Sequence, residues 1–161
     1  MKEFMEILTF AAALGSALVA GVFFAFSTFV MRALGQLPES QGIAAMKAIN
    51  VTVINPWFFL AFFGTGVLCL IVALLALGST AGTHRAYLLA GCALYLLGCL
   101  LVTVAFNVPL NDQLASTDPD SSGAAALWAN YLSRWTFWNH VRTAASLAAA
   151  GFFTMAFRGV N

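Results

Sequence analysis

Residues 7–31, ILTFAAALGSALVAGVFFAFSTFVM, contain no charged side chain. In helical conformation these 25 residues extend about 37 Å, more than the roughly 30 Å of a bilayer's hydrocarbon core. The run is far longer than the apolar core of a signal peptide. It reads as a retained membrane helix. The rest of the chain has the same character: 61% of its 161 residues are hydrophobic and 8% are charged. A soluble fold of this size has too much surface for its volume to hide so many apolar side chains. With 7 Lys and Arg against 6 Asp and Glu, the net charge is +1, so no basic face exists for nucleic acid. The hydrophobicity excludes disorder. What remains is one multi-pass integral membrane domain over residues 1–161, in contact with lipid.

Charges and turn residues divide the chain further. Residues 32–55 are polar and small, with Glu39 and Lys47. Within them Ile43, Met46, Ile49 and Val53 recur at helical spacing, which predicts a short interfacial helix. Pro56 opens a second span to about residue 78, since proline suits a first helical turn. A turn over 79–84 leads to a third span, 86–111. An acidic loop, 112–123, precedes a last long helix over 124–157. The expected fold is all-α, an antiparallel four-helix bundle in the membrane, with a short helix between the first two spans. The acidic loop with Asp112, Asp118 and Asp120 lies opposite the termini, which places both termini on the cytoplasmic side. Ala13, Ala17, Gly21 and Ala25 form a seam of small residues suited to close helix packing within the bundle, or to a homo-oligomer. Cys69, Cys92 and Cys99 lie in apolar runs without a CxxC and read as packing residues.

The last helix is short of apolar length. Only Thr143 to Phe157 is uncharged there, 15 residues or about 22 Å. To cross a bilayer it must draw in His140 and Arg142. Arg142 stands 16 residues before Arg158, about 24 Å along the axis. Ionisable groups at that depth usually face a bundle interior or a wet cavity. Asn107 lies 22 residues past Arg85, about 33 Å up the third helix, with Asn111 one turn further. Pro109 between them is expected to kink or end the helix and to free carbonyls. Asn55 and Trp57 open the second helix at the same end.

The candidate site is therefore Asn55, Trp57, Asn107, Asn111, Trp135, Trp138, Asn139, His140 and Arg142, near the face opposite the termini. Taken singly, each has a blander role: an aromatic belt for Trp128, Tyr131, Trp135 and Trp138, caps for the asparagines, snorkelling for Arg142. Together they make a wide polar sector. His140 shares a helical face with Ser133, Thr136 and Thr143, and Asn139 shares another with Arg142 and Ser146. His84, the second histidine, sits at the opposite end, so one subunit cannot assemble a multi-histidine metal site. A single-histidine haem ligand stays open. No Walker loop, GxGxxG, HExxH or GxSxG occurs.

Four stretches carry a resemblance: Gly21-Val22-Phe23-Phe24-Ala25-Phe26-Ser27; Ile49-Asn50-Val51 with Ile54-Asn55-Pro56; Asn107-Val108-Pro109-Leu110-Asn111; and Trp135-Thr136-Phe137-Trp138-Asn139-His140-Val141-Arg142-Thr143. Together they resemble the DUF1772 family, small four-span membrane proteins that include the anthrone oxygenases. The resemblance implies oxidation of an anthrone-type methylene to a carbonyl with molecular oxygen as co-substrate and no recognised cofactor. It carries over onto Asn107, Asn111, Asn139, His140 and Arg142. An anthrone C–H is acidic because its enolate is aromatic, so a neutral imidazole, His140, suffices as base. Arg142 and the amides, Asn139 first, would stabilise the oxyanion, and the aromatics would stack on a small planar lipophilic ligand. Three other functions compete. One is a non-catalytic binder or accessory subunit for a quinone-like molecule, another a structural membrane protein, and a third a haem or copper redox protein.

Overall fold

The computed structural model describes residues 2–78 and 82–158, and the described residues are helical apart from short connections. Five continuous helices follow one another: α1 (Lys2–Leu34), α2 (Glu39–Thr52), α3 (Pro56–Leu77), α4 (Thr83–Ala115) and α5 (Ala124–Arg158). The residues at 79–81, in the expected second turn, lie outside the described part.

Local chemistry sets the helix ends. α1 stops at Gly35, and Pro38 turns the chain into α2, whose first turn places Glu39 at the positive end of the helix dipole. Asn55 caps α3: its backbone is extended and its Oδ1 accepts from Trp57 N at 3.1 Å and Phe58 N at 3.0 Å. Pro56 behind the cap lacks only an N–H that would have had no helical partner. α3 ends at Gly78.

α4 departs from expectation. It runs through Pro109 to Ala115 instead of ending near Asn111, so part of the expected acidic loop is helical. The reason lies just upstream, where Leu94–Leu101 and Thr103–Asn107 are widened to π-helical spacing. The widened turns shift the hydrogen-bond ladder, so that proline falls in the first turn of a fresh α-helical segment, where no N–H is needed.

The four long helices close a ring: α1 packs on α3 and α5, and α4 packs on the same two. α1, α3 and α4 are long and apolar enough to cross a membrane. α5 is longer than any of them, at 35 residues, but Arg134, His140 and Arg142 lower its hydropathy. One core fills the ring with Val19, Phe23, Phe62, Val72, Leu88, Tyr95 and Phe153, along with the free buried thiols Cys69, Cys92 and Cys99. A second core lies where α2 folds over the ends of α4 and α5, and it buries Ile43, Met46, Leu114, Trp128, Tyr131 and Trp135. The tie is reinforced by Lys47 Nζ, which donates to the Thr117 carbonyl at 2.6 Å. At the other end, His84 Nδ1 donates to the Ala156 carbonyl at 2.9 Å and pins the start of α4 to the end of α5.

The small-residue seam on α1 lies beside its packing face: Ala13 touches the core, but the middle of the seam points outward. Ala17 and Gly21 are exposed, and a Cβ on Gly21 would meet nothing. The buried face is Thr9, Ala12, Ser16, Val19, Ala20 and Phe23, a stripe at three- and four-residue spacing that mixes small with large side chains. Gly15 flanks that stripe, and a side chain there would run into Thr65 of α3. Gly15→Leu is accordingly expected to lower stability by about 1–3 kcal/mol through overpacking, with Gly21→Leu close to neutral. Thermal unfolding in detergent measures both.

Candidate functional site

The α5 helix presents polar side chains on two faces, because residues two apart on a helix are rotated by about 200° from each other. Arg142 and Asn139, three apart, share the inner face and are buried at 4% and 0% exposure. His140, two residues from Arg142, is exposed on another side. The geometry thus separates His140 from the guanidinium with which the sequence reading had grouped it.

Arg142 is held by neutral groups. Its Nη2 donates to Asn139 Oδ1 at 2.7 Å and its Nη1 to Thr103 Oγ1 at 3.3 Å. The Phe23 ring lies 4.1 Å from the guanidinium carbon and the Trp135 ring 5.0 Å, so the cation sits between two π faces. Its Nε has no partner, nor do Ser146 Oγ one turn away and Asn107 Oδ1.

Asn139 carries the network onward. Its Nδ2 donates to the Phe23 carbonyl at 2.7 Å and to Ser27 Oγ at 2.8 Å. The Thr143 hydroxyl donates to the Asn139 carbonyl at 2.8 Å, and it stands 3.1 Å from Ser27 Oγ. Since that single threonine proton is already committed, Ser27 donates to Thr143 while accepting from Asn139. Ser27 belongs to a π-helical turn of α1, Phe26–Val30. Such turns loosen the regular ladder and are frequent at functional sites. A second such turn, Leu60–Gly64 in α3, offers the Phe62 carbonyl to the Tyr95 hydroxyl at 2.8 Å.

Trp135 links this network to the asparagines of α4. Its carbonyl accepts from Asn107 Nδ2 at 3.2 Å, and its Nε1 donates to Asn111 Oδ1 at 2.8 Å, which also accepts from the Tyr131 hydroxyl at 2.8 Å. Trp138 stacks on Phe106, centroids 3.7 Å apart and planes 6° apart. Asn55 and Trp57 do not join: the first caps α3 and the second is 81% exposed.

His140 lines an open groove of about 630 Å³ between the last turns of α1 and the first half of α5. Ser27, Thr28 and Arg32, with Gln36 in the turn just past the helix, form its α1 wall; Ser133, Thr136, Phe137 and His140 form the facing wall. The volume is that of a small-molecule site. Ser27 therefore serves twice, as wall of the groove and as terminus of the buried chain from Arg142. Sequence reasoning missed Phe23 and Thr103 as partners of Arg142, and missed Arg32 and Gln36 as groove residues. The available signals were four-residue steps: Phe23 shares a face with Ser27, and Thr103 with Asn107.

The model of the family described as anthrone oxygenase matches residues 57–152, more than half of the chain. The chain belongs to the anthrone oxygenase family. No curated protein and no solved structure matches it significantly. The family segment contains Asn107, Asn111, Trp135, Asn139, His140 and Arg142, whereas the α1 wall of the groove, from Ser27 to Gln36, lies outside it.

Hydrogen bonds to charged groups contribute about 1.5–3 kcal/mol. Asn139→Leu, which strips both Arg142 and Ser27 of a partner, should therefore lower stability by about 2–3 kcal/mol. Trp57→Ala, at an exposed position, should leave it within about 0.5 kcal/mol. Thermal melts of the two variants against wild type provide the comparison.

Proposed function

We propose that the protein is an integral membrane oxygenase of the anthrone oxygenase type, acting on a small planar aromatic in the groove between α1 and α5. The four long helices cross the bilayer as an antiparallel bundle with both termini cytoplasmic. The apolar outer residues of α1, α3 and α4 support this, among them Leu14, Leu18, Leu60, Leu74, Leu97 and Leu101. α5 can accompany them despite its charges, since Arg142 faces inward, where it has partners. Cysteines introduced at Lys2 and Val160 are expected to label from the same side of sealed vesicles. Labelling from opposite sides would remove the bundle topology.

The observation that carries the chemical reading is the double role of Ser27. On one side of it stands His140, exposed to the groove with an unoccupied imidazole; on the other, the chain through Asn139 leads to a buried cation. His140 takes a proton from the methylene carbon of the bound aromatic and so forms its enolate. The negative charge on the enolate oxygen is stabilised by the Ser27 hydroxyl, which turns its one proton from Thr143 to the ligand and is kept polarised by Asn139 and, behind it, Arg142. The electron-rich carbon then reduces dioxygen and forms a C–O bond, giving a hydroperoxide. Loss of water from the hydroperoxide leaves the carbonyl, so that one CH₂ and one O₂ yield one C=O and one H₂O. Phe137, Leu132 and Met31 supply the apolar surface for the ring system.

Oxygen uptake with anthrone in proteoliposomes, corrected for the uncatalysed background, tests this reading. General-base catalysis is typically worth about 10²–10⁴-fold, so His140→Gln should reduce kcat by about a hundredfold or more while leaving the melting temperature unchanged. Wild-type protein that binds anthrone without taking up oxygen would instead be a carrier or accessory subunit.

A further inference from the structure

We infer that the groove selects planar aromatics bearing an acidic substituent, whose anion is held by Arg32; this rests on the groove being the ligand site proposed above. None of the groove's lining residues is a carboxylate. Arg32 has no hydrogen bond or ion pair among the described residues. Arg32 is an exposed lining residue of the groove, and a guanidinium offers the planar fork of donors that suits a carboxylate.

The helical registers of the two walls give the selection a length. Thr28 and Arg32 lie one four-residue step apart near the end of α1, with Gln36 in the turn just beyond it. On α5, Ser133, Thr136 and His140 follow one another at three- and four-residue steps, running in the opposite sense. The bonds from Ser27 to Asn139 and Thr143 put Ser27 at the level of His140. Arg32 is then five residues further along α1, about 7 Å towards its end. A fused tricyclic skeleton with its reacting carbon at His140 would carry a peripheral carboxylate to that level. A ligand without the acid would leave Arg32 to water and gain nothing from it.

The test uses ligands that cannot react, so that it is independent of the oxygenase chemistry. Full-length protein in phosphatidylcholine nanodiscs is titrated with anthracene-2-carboxylate and with anthracene-2-carboxamide, and binding is read by ligand fluorescence. Wild type should bind the carboxylate about tenfold or more tightly than the amide, the order of one charge-assisted contact. Arg32→Gln should abolish that preference by weakening the carboxylate about tenfold or more and the amide far less, and Arg32→Lys should restore part of it. Equal weakening of both ligands in Arg32→Gln, with a lowered melting temperature, would mean that Arg32 only supports the end of α1, and would overturn the inference. If replacing phosphatidylcholine by phosphatidylglycerol displaces the carboxylate and stabilises wild type but not Arg32→Gln, the anion is a lipid headgroup and the inference again fails. Charge preference without oxygen uptake would sink only the oxygenase reading; oxygen uptake without an Arg32-dependent preference would sink only this one.

Discussion

A guanidinium without a carboxylate, enclosed by helices, is the constraint around which the rest of this protein is arranged. A buried cation that lacks partners costs several kcal/mol, and Arg142 meets that cost with neutral dipoles and ring faces. Asn139 and Thr103 accept its protons, and Phe23 and Trp135 sandwich it. None of these cancels its charge. The interior thus keeps a net positive field, which favours any anionic species formed close by. A structural ion pair would have removed that field.

The polar network is made by irregular helix rather than by loops. Where α1, α3 and α4 widen into π-helical turns, the regular ladder no longer claims every polar group in the usual way. Side chains from neighbouring helices meet backbone there: Asn139 reaches the Phe23 carbonyl just ahead of one widened turn, and Tyr95 reaches the Phe62 carbonyl inside another. In an apolar setting such directional bonds add to side-chain packing in fixing helix register. The same irregularity lets α4 pass through Pro109 without breaking.

The family segment and the groove divide the molecule differently. The matched residues 57–152 hold the buried cation, its amide and the exposed histidine. The facing wall comes from the end of α1, which the match does not include. The groove thus needs both the matched part of the chain and the end of α1.

Much of the architecture was legible in the amino-acid order, because hydrophobicity and charge spacing act locally. The uncharged run 7–31, the Asn55-Pro56 cap and the period of Ile43 and Met46 each declare a helix by short-range rules, and the inward placement of Arg142 follows from its depth alone. Helical periodicity even separates the Asn139–Arg142 face from the His140–Thr136 face. What the sequence could not decide is which faces meet. The Ala13–Ala25 seam promised close packing, yet the ring of helices turned Thr9, Ser16 and Phe23 inward, since rotation of a helix about its axis depends on the sum of contacts with all its neighbours. For the same reason Ser27, more than a hundred residues away, becomes the group that stands between His140 in the groove and the buried chain to Arg142.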